Sequence, residues 1–424
     1  MAEYRKRIVD KELSLQLEGS GAVLIEGPKW CGKTTTAEQQ ARSILYMDSP
    51  SEMEQNLRLA SINPQRLLNG ETPRLIDEWQ LAPQLWDTIR FTVDHKEGFG
   101  QFILTGSSVP ADNSKIKHTG TGRFARLRMR PMSLWESGDS TGEVSLKNLF
   151  STPAAIDGNS THYIDTIAYL ICRGGWPQSL KMREEVALRQ ADNYVDAIIN
   201  NDISRVDGMN RSAQRAMRIM RSFARFQASQ TPITNIRKDI IANEVETIDD
   251  DTVYSYIDAL KKIFVIEDAP AWNPNLRSKA AIRTSDTRYY IDPSIATASL
   301  GAGPDDLVND LATMGLMFET LCVRDLRVYA QSLGGELYHY RDSNGLECDA
   351  VIHLRNGQYG LVEIKLGGDD LVNEGIANLN SMVKVIDTTK MKHPSFRMVL
   401  VGVGSFAYRA EDGTYIVPVG CLRD

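Results

Sequence analysis

Residues 21–36 read GAVLIEGPKWCGKTTT, and this stretch decides how the N-terminal part of the chain folds. The apolar run 22–25 has the length and composition of a buried strand. It ends at Gly27, and Gly32-Lys33-Thr34 open a helix that continues through Ala37 and Gln40. The string is GxxxxGK[ST] in a strand–loop–helix context. Glycines in such a loop let successive backbone N–H groups curl around phosphate oxygens at the positive end of a helix. Gly27, Pro28, Lys29, Trp30, Cys31, Gly32, Lys33, Thr34 and Thr35 are therefore the expected nucleotide-contacting residues. Lys33 is expected to reach the β- and γ-phosphates, and the Thr34 hydroxyl to ligate Mg2+, so ATP and Mg2+ are the expected cofactors.

Two more strand ends follow. Arg74-Leu75-Ile76-Asp77-Glu78-Trp79 reads as a buried strand that finishes in two carboxylates. Asp77 is expected to hold Mg2+ through water, and Glu78 to polarise the attacking water as the catalytic residue. Phe102-Ile103-Leu104-Thr105-Gly106-Ser107-Ser108 reads as a third apolar strand, ending in hydroxyls. One of these hydroxyls, placed between the other two strands, would sense the γ-phosphate. Ser107 is carried as the candidate, with Thr105 and Ser108 still open.

The chain has 424 residues, which suggests two or three domains. Hydrophobic residues at 42% and charged residues at 24% are ordinary globular values, excluding wholesale disorder, collagen-like repeats and disulfide scaffolds. With 48 Lys+Arg against 55 Asp+Glu, the net charge of −7 excludes a bulk polycation. The surplus is local: residues 1–185 carry −1, residues 186–285 carry +1, and residues 286–424 carry −7. Cys31, Cys172, Cys322, Cys348 and Cys421 are odd in number, widely spaced and without a CxxC pair. They offer neither a disulfide framework nor a zinc spacing, and a reducing cytoplasm is expected. The basic N-terminus lacks the apolar run of a secretory signal. Apolar stretches such as 398–403 fall far short of the roughly 20 residues that span a bilayer, so no membrane partner is expected.

In the middle of the chain the periodicity turns helical, with Tyr194-Val195 and Ile198-Ile199 at lid-like 3–4 spacing. Arg211, Arg215, Arg218, Arg221 and Arg225 fall within a sector of about 120° at helical spacing, with Met220 and Phe223 opposite. Residues 203–230 hold six arginines and one acid. Arginine favours bidentate phosphate contact, so the stripe is a candidate DNA-binding face. Docking on the acidic C-terminal part is the competing reading, and charge alone does not choose between them. An acidic turn at Asp249-Asp250-Asp251, a helix 252–260 capped by Thr252 and a returning strand 261–266 complete a pattern that looks like a winged helix.

Residues 346–366 read LECDAVIHLRNGQYGLVEIKL, with Arg355-Asn356-Gly357 between two strand-like runs. A three-residue loop with Gly in the left-handed position gives a bulged hairpin in which opposed residue numbers sum to 712. Asp349 then faces Glu363, with Lys365 on the same side; a two-residue loop would set Asp349 against Ile364 instead. Chemistry selects the first register. Two carboxylates about 5 Å apart at Cβ can hold one divalent metal, and a neighbouring lysine can orient its water. The bland alternative is that these side chains are merely paired. The tripeptide [DE]-x-K also occurs at Asp94-His95-Lys96, so the strand context and the upstream Asp349 carry the reading.

The three strand ends, in this order, resemble AAA-plus and related ATPases. They look most like a prokaryotic family of ATP-binding proteins whose P-loop reads much like GPKWCGKTT. In that family a Gly-Arg step and an apolar stretch follow the third strand, matched here by Gly122-Arg123 and residues 130–136. The resemblance implies that Arg123 acts as an arginine finger on a neighbour's γ-phosphate, with Arg126 and Arg128 competing for the role. A finger in trans implies a homo-oligomer, by analogy a hexamer. Gly174-Gly175-Trp176-Pro177 is similar to a lid motif of signal-transducing ATPases that touches bound nucleotide; a plain turn is the alternative. The Asp349…Glu363-x-Lys365 arrangement resembles restriction-endonuclase-like nucleases, in which a helical glutamate often joins the metal. Glu319 stands at the matching place.

Together these resemblances imply an α/β multidomain chain: an AAA-plus-like P-loop ATPase (1–185), a helical lid plus winged helix (186–285) and a C-terminal restriction-endonuclease-like α/β domain (286–424). Two functions follow. One is a Mg2+-dependent ATPase acting on duplex or branched DNA as a translocase, helicase or branch-migration motor, with a nuclease-like domain whose cleavage is open. The other is a nucleotide-operated switch that binds a protein partner, its C-terminal domain a silent scaffold.

Overall fold

A computed structural model of the protein describes residues 4–110, 116–151, 155–244, 247–273, 285–389 and 391–424. The chain divides into two units, one comprising Met1–Pro131, Ile198–Ser212 and Asp258–Val265, the other Met132–Ala197, Ala213–Ile257 and Ile266–Asp424. The crossings fall after Pro131, Ala197, Ser212, Ile257 and Val265. The boundaries at 185 and 285 divide the sequence into runs, whereas these units interleave along it.

The first unit is built on a sheet of β1 (Ala22–Glu26), β2 (Ser43–Tyr46), β3 (Arg74–Asp77), β4 (Phe102–Gly106) and β5 (Phe124–Arg128). All neighbours are parallel and the order is β2-β3-β4-β1-β5. A parallel sheet needs both faces covered, which is why β1 and β4 read as unbroken apolar runs. Alternate residues go to opposite faces. Ala22 and Leu24 pack with Ile76, Leu104 and Trp86, while Val23 and Ile25 pack with Leu75, Ile103 and Leu13. With β1 between β4 and β5, the loop that leaves β1 emerges beside the ends of β4 and β5, and β3 ends one strand further on.

The second unit begins its strands with β6 (Val144–Ser145) and centres on β7 (Gly335–Arg341), β8 (Glu347–Leu354), β9 (Tyr359–Gly367), β10 (Phe396–Val403), β11 (Tyr408–Arg409) and β12 (Tyr415–Pro418). The sheet order is β11-β12-β10-β9-β8-β7. β7, β8 and β9 form an antiparallel meander, and β9, β10 and β12 are parallel. The helix Asp369–Val385 makes the crossover that a parallel β9–β10 pair requires. The helix Leu311–Ser332 packs on β7, β8 and β9, and β13 (Leu422–Arg423) pairs with β6.

The middle region supplies helices Ala213–Arg225, Ile233–Glu244 and Asp250–Lys262. Two expectations change here. The third helix runs on through Lys261 and Lys262, which are therefore not strand residues, and the chain then turns at Phe264 with φ 60°. Beyond the turn, Ile266 and Ala269 make isolated antiparallel bridges to Tyr290 and Thr287. The cap is Asp249, whose carboxylate accepts the Thr252 N–H at 2.6 Å, so Thr252 lies inside the helix it was expected to start.

His339, 3% exposed in β7, yields a prediction about acid stability. Its Nδ1 accepts from Gln230 and its Nε2 donates to the Ser285 carbonyl, both at 3.1 Å, which suits the neutral ring. Burial pushes its pKa down to about 4. A depressed folded value gives stability that is present above the ordinary value near 6.5 and lost as pH falls toward 4, worth about 3 kcal/mol. Denaturant midpoints measured across that window should fall in the wild type, and fall less steeply in His339→Gln.

Candidate functional site

The loop after β1 is held by close approach and by one distant arginine. A Cβ at Gly27 would overlap the Met129 carbonyl oxygen, so only glycine fits there. Gly32 takes φ 98° immediately before the helix Lys33–Glu38, and Trp30, 43% exposed, takes φ 65°. Arg7 donates one N–H to the Cys31 carbonyl at 2.7 Å and another to the Arg130 carbonyl at 2.8 Å. That tie fastens the loop to the segment after β5. Pro28 and Cys31 are buried and Thr35 is exposed. The buried Lys33 ammonium donates to the Pro28 carbonyl at 2.7 Å, and Lys29 pairs with Asp202 at 2.6 Å.

The carboxylates and hydroxyls of the neighbouring strands converge on this loop. Asp77, the last residue of β3, accepts the Thr34 hydroxyl at 2.8 Å on the oxygen that also accepts the Thr105 hydroxyl from β4. Glu78 follows in a left-handed conformation, φ 54°. One of its oxygens accepts the Ser107 hydroxyl at 3.1 Å and the Gln80 amide. Thr105 thus serves Asp77, and Ser107 serves Glu78. Burial raises the pKa of both carboxyls. A hydroxyl and a carboxylate held together are hard oxygen donors of the kind Mg2+ takes, so Thr34 and Asp77 fit that ion.

Arg123 lies at the other end of β5. Phe124 pairs with Ala22, the first residue of β1, whereas the loop leaves after Glu26 beside Arg128. Arg123 is half exposed and its Nε donates to Asp94 at 2.7 Å. Of its competitors, Arg126 pairs with Glu26 at 2.9 Å and Arg128 lies over the Phe264 ring at 4.2 Å.

The arginine stripe is smaller than its periodicity suggests. Arg211 precedes the helix, is 4% exposed, and is held by both oxygens of Asp207 at 2.6 and 2.8 Å. It is a buried structural cation, because the one acid of the 203–230 window sits four residues before it. Arg225 is paired with Asp239 at 2.6 Å, and the exposed Arg221 donates to the Ser299 carbonyl at 3.1 Å. Arg215 and Arg218 are half-buried on the helix.

In the second unit, β8 and β9 pair Ala350 with Val362, Val351 with Leu361, Ile352 with Gly360 and His353 with Tyr359. This is the 712 register, with Gly357 at φ 80° in the loop. It sets Asp349 level with Glu363. Both oxygens of Glu363 and one of Asp349 are nevertheless engaged from within. Asp349 accepts the Ile364 N–H at 2.7 Å, Glu363 accepts the Asn378 amide at 2.7 Å and Lys365 at 3.3 Å, and Lys365 also reaches Glu374 at 3.5 Å. Glu319 accepts the Tyr289 hydroxyl at 2.5 Å. Burial, joined by the Asp349 charge, pushes the Glu363 carboxyl up to about 8 and raises Glu319 well above the carboxylate range. Among the described residues, no three His, Cys, Asp or Glu side chains are grouped as a metal would need.

The Gly174-Gly175-Trp176-Pro177 turn is bound into the interior of its own unit. Trp176 is buried and donates from its indole to Ser294 at 2.9 Å. The Gly175 N–H donates to Asp292 at 2.9 Å, and a Cβ there would overlap the Met132 carbonyl. Asp292 in turn accepts from Arg324 at 2.9 Å, and Arg324 forks onto Asp325 at 2.9 and 2.7 Å.

Sequence reasoning missed Arg7, Gln80, Asn378 and Tyr289. Gln80, two residues beyond Glu78, had a local signal. The others are brought in from distant parts of the chain.

A GxxxxGKT loop after the first strand, with a carboxylate pair and hydroxyls closing over it from the next two, defines a P-loop ATPase domain. Residues 19–137 match the family described as AAA domain, which supports an ATPase of the P-loop class in this part of the chain. Residues 164–306 and 314–422 match two families described as domains of unknown function, DUF8612 and DUF4143. The uncharacterized proteins Rv2008c of Mycobacterium tuberculosis and Mb2031c of Mycobacterium bovis are each 22% identical over 364 residues, which is 85% of this chain and 74% of theirs. Among solved structures, the Walker-type ATPase PABY2304 of Pyrococcus abyssi is 15% identical, with a TM-score of 0.42 over 68% of this chain and 94% of its own. The Aeropyrum pernix ORC1 protein, solved in complex with DNA, is 12% identical, with a TM-score of 0.25 over 73% and 95%. Among the described residues, no helix is long and apolar enough to cross a membrane. All five cysteines are free and buried.

Proposed function

We propose that this chain is a Mg2+-dependent ATP hydrolase that works as a nucleotide-operated switch on a protein partner. The observation that carries the hydrolase is the convergence of Thr34, Asp77 and Thr105, and of Glu78, Gln80 and Ser107, on one loop. The amides between Gly27 and Thr34 would cradle the phosphates, and Lys33 would exchange the Pro28 carbonyl for phosphate oxygen. Thr34 and Asp77 would hold Mg2+, which would supply charge neutralisation for the transferred phosphoryl group. Glu78 orients the attacking water, while Ser107 and Gln80 fix the direction of its carboxylate. Arg123, remote from its own loop, serves a neighbouring copy in a homo-oligomer, a hexamer by analogy.

The surface chemistry favours a protein partner. Arg211 and Arg225 are spent on Asp207 and Asp239, and residues 286–424 carry the whole surplus of negative charge. A DNA phosphate backbone is bound chiefly by cations, and with Arg211 and Arg225 paired the stripe offers fewer of them than its spacing suggests. The 712 register, with Asp349 level with Glu363 and Lys365 two residues on, supports the second reading: a DNA-processing ATPase with a nuclease-like C-terminal domain.

Measuring ATP turnover with duplex, single-stranded and four-way-junction DNA, while following Mg2+-dependent cleavage, separates the two. A switch is expected to turn over ATP equally with all three and to leave the DNA intact. DNA-stimulated turnover, or cleavage abolished by Asp349→Ala, would establish the DNA-processing reading in its place.

A further inference from the structure

The second unit carries a cavity of about 580 Å3 beside Glu319 and Lys365, a size typical of specific binding pockets. Its walls are largely Ile164, Leu311, Leu316, Leu366, Leu371 and Val403. Leu311 and Leu371 are 55% and 40% exposed, so the apolar surface extends out of the cavity to its mouth. Lys365 is the one basic side chain among the described lining residues, and it is already held between Glu363 and Glu374.

Most of the exposed residues adjoining that lining in the chain are acidic, Tyr163 before Ile164 being the exception. Asp165 follows Ile164, Asp310 precedes Leu311, and Asp369 with Asp370 stand between Gly368 and Leu371. An apolar well edged by carboxylates repels a phosphate backbone and attracts positive charge. Asp310 is occupied as the cap of its helix, accepting the Thr313 N–H and hydroxyl at 3.1 and 2.6 Å. A small apolar molecule would fill the well yet leave the exposed leucines and the Asp369 and Asp370 carboxylates unanswered.

We infer that this cavity docks a basic segment of a partner protein, which inserts an apolar side chain between Leu311 and Leu371 and sets Lys or Arg against Asp369 and Asp370. The inference gives the switch reading its partner chemistry and rests on that reading. An apolar anchor seated in a pocket, with a polar rim of complementary charge around it, is an arrangement protein interfaces use.

Gly315 allows a direct test. It lines the cavity from within the helix Leu311–Ser332, and a Cβ there meets nothing within 4 Å. Gly315→Leu therefore plugs the well without forcing the backbone. The probe is a fluorescein-labelled, 16-residue amphipathic peptide of Lys and Leu at helical spacing, titrated into the full chain by anisotropy. Control peptides replace Leu by Ser or Lys by Glu.

The Lys/Leu peptide should bind, and each control should bind at least about tenfold more weakly. Gly315→Leu should weaken binding about tenfold or more, and Leu371→Ser should weaken it without any plug. Asp369→Asn with Asp370→Asn should weaken it about threefold and flatten its salt dependence. Equal affinity in both Gly315→Leu and Leu371→Ser would overturn the assignment, as would equal binding of the Ser peptide. Binding of fluorescein-labelled duplex DNA to the wild type that is lost in Gly315→Leu would also overturn it. Wild-type self-association that disappears in Gly315→Leu, read by sedimentation velocity, would make the occupant a second copy instead. Repeating the titration with ATP and with ADP distinguishes the two ideas. Different affinities uphold both, whereas equal affinities that still depend on Gly315 and Leu371 keep the pocket and refute the switch.

Discussion

Glu78→Gln is expected to bind ATP about as well as the wild type and to hydrolyse it at least about a hundredfold more slowly. The amide matches the carboxylate in shape, and its oxygen can still accept the Ser107 hydroxyl and the Gln80 amide that fix the side chain. What the substitution removes is the basicity that draws a proton from water, and positioned general bases contribute about 10²–10⁴-fold. The left-handed backbone at Glu78 is unchanged, since glutamine meets the same strain there. Phosphate release measures the rate, and Trp30, exposed within the loop, provides a fluorescence signal for nucleotide binding. A wild-type rate would remove Glu78 from the role of orienting water. Loss of binding along with rate would mean that its charge shapes the loop itself.

Arg324→Ala is expected to destabilise the second unit by about 3–5 kcal/mol, because it strips the cation from between two buried carboxylates. Asp292 and Asp325 are 0% and 1% exposed, and Arg324 is 2% exposed. Even with the guanidinium in place, burial pushes the Asp325 carboxyl up to about 6. Without it, neither carboxylate has a countercharge of comparable geometry. Arg324→Lys should recover only part of the loss, since one ammonium cannot reproduce a fork that addresses Asp292 and Asp325 at once. Denaturant midpoints report both variants. A loss below about 1 kcal/mol would mean that water or other donors take over the two acids.

The parts of the molecule that were legible in the sequence are those governed by local rules. A glycine-rich loop between an apolar strand and a helix announces itself in sixteen residues, and the strand ends at Asp77, Glu78 and Ser107 lie where their apolar runs stop. The β8–β9 register was legible only in part: the local loop pattern left two registers open, and the opposition of Asp349 and Glu363 chose the one that the left-handed Gly357 loop adopts. What failed depended on distance. The stripe was drawn by periodicity through Arg211, but the helix starts at Ala213 and Asp207 folds back onto the arginine. The glycine-tryptophan turn looked like a nucleotide-contacting motif, while Asp292 and Arg324, more than a hundred residues later, hold it in the interior of its unit. No local pattern indicates that Arg7 will bridge Cys31 and Arg130.

The interleaving of the two units constrains the order in which the protein can mature. During synthesis the N-terminal sheet can form early, since its five strands end at Arg128. Its unit nevertheless lacks Asp258–Val265 until residue 265 has left the ribosome. The second unit starts at Met132, yet the partner of β6 is β13, at Leu422–Arg423. Domains generally complete themselves one after another, from the N-terminus. Here the second unit begins before the first is complete, and its own last pairing waits for residue 423. A messenger shortened before residue 265 would therefore leave the first unit incomplete, and one shortened before residue 422 would leave β6 without its partner strand.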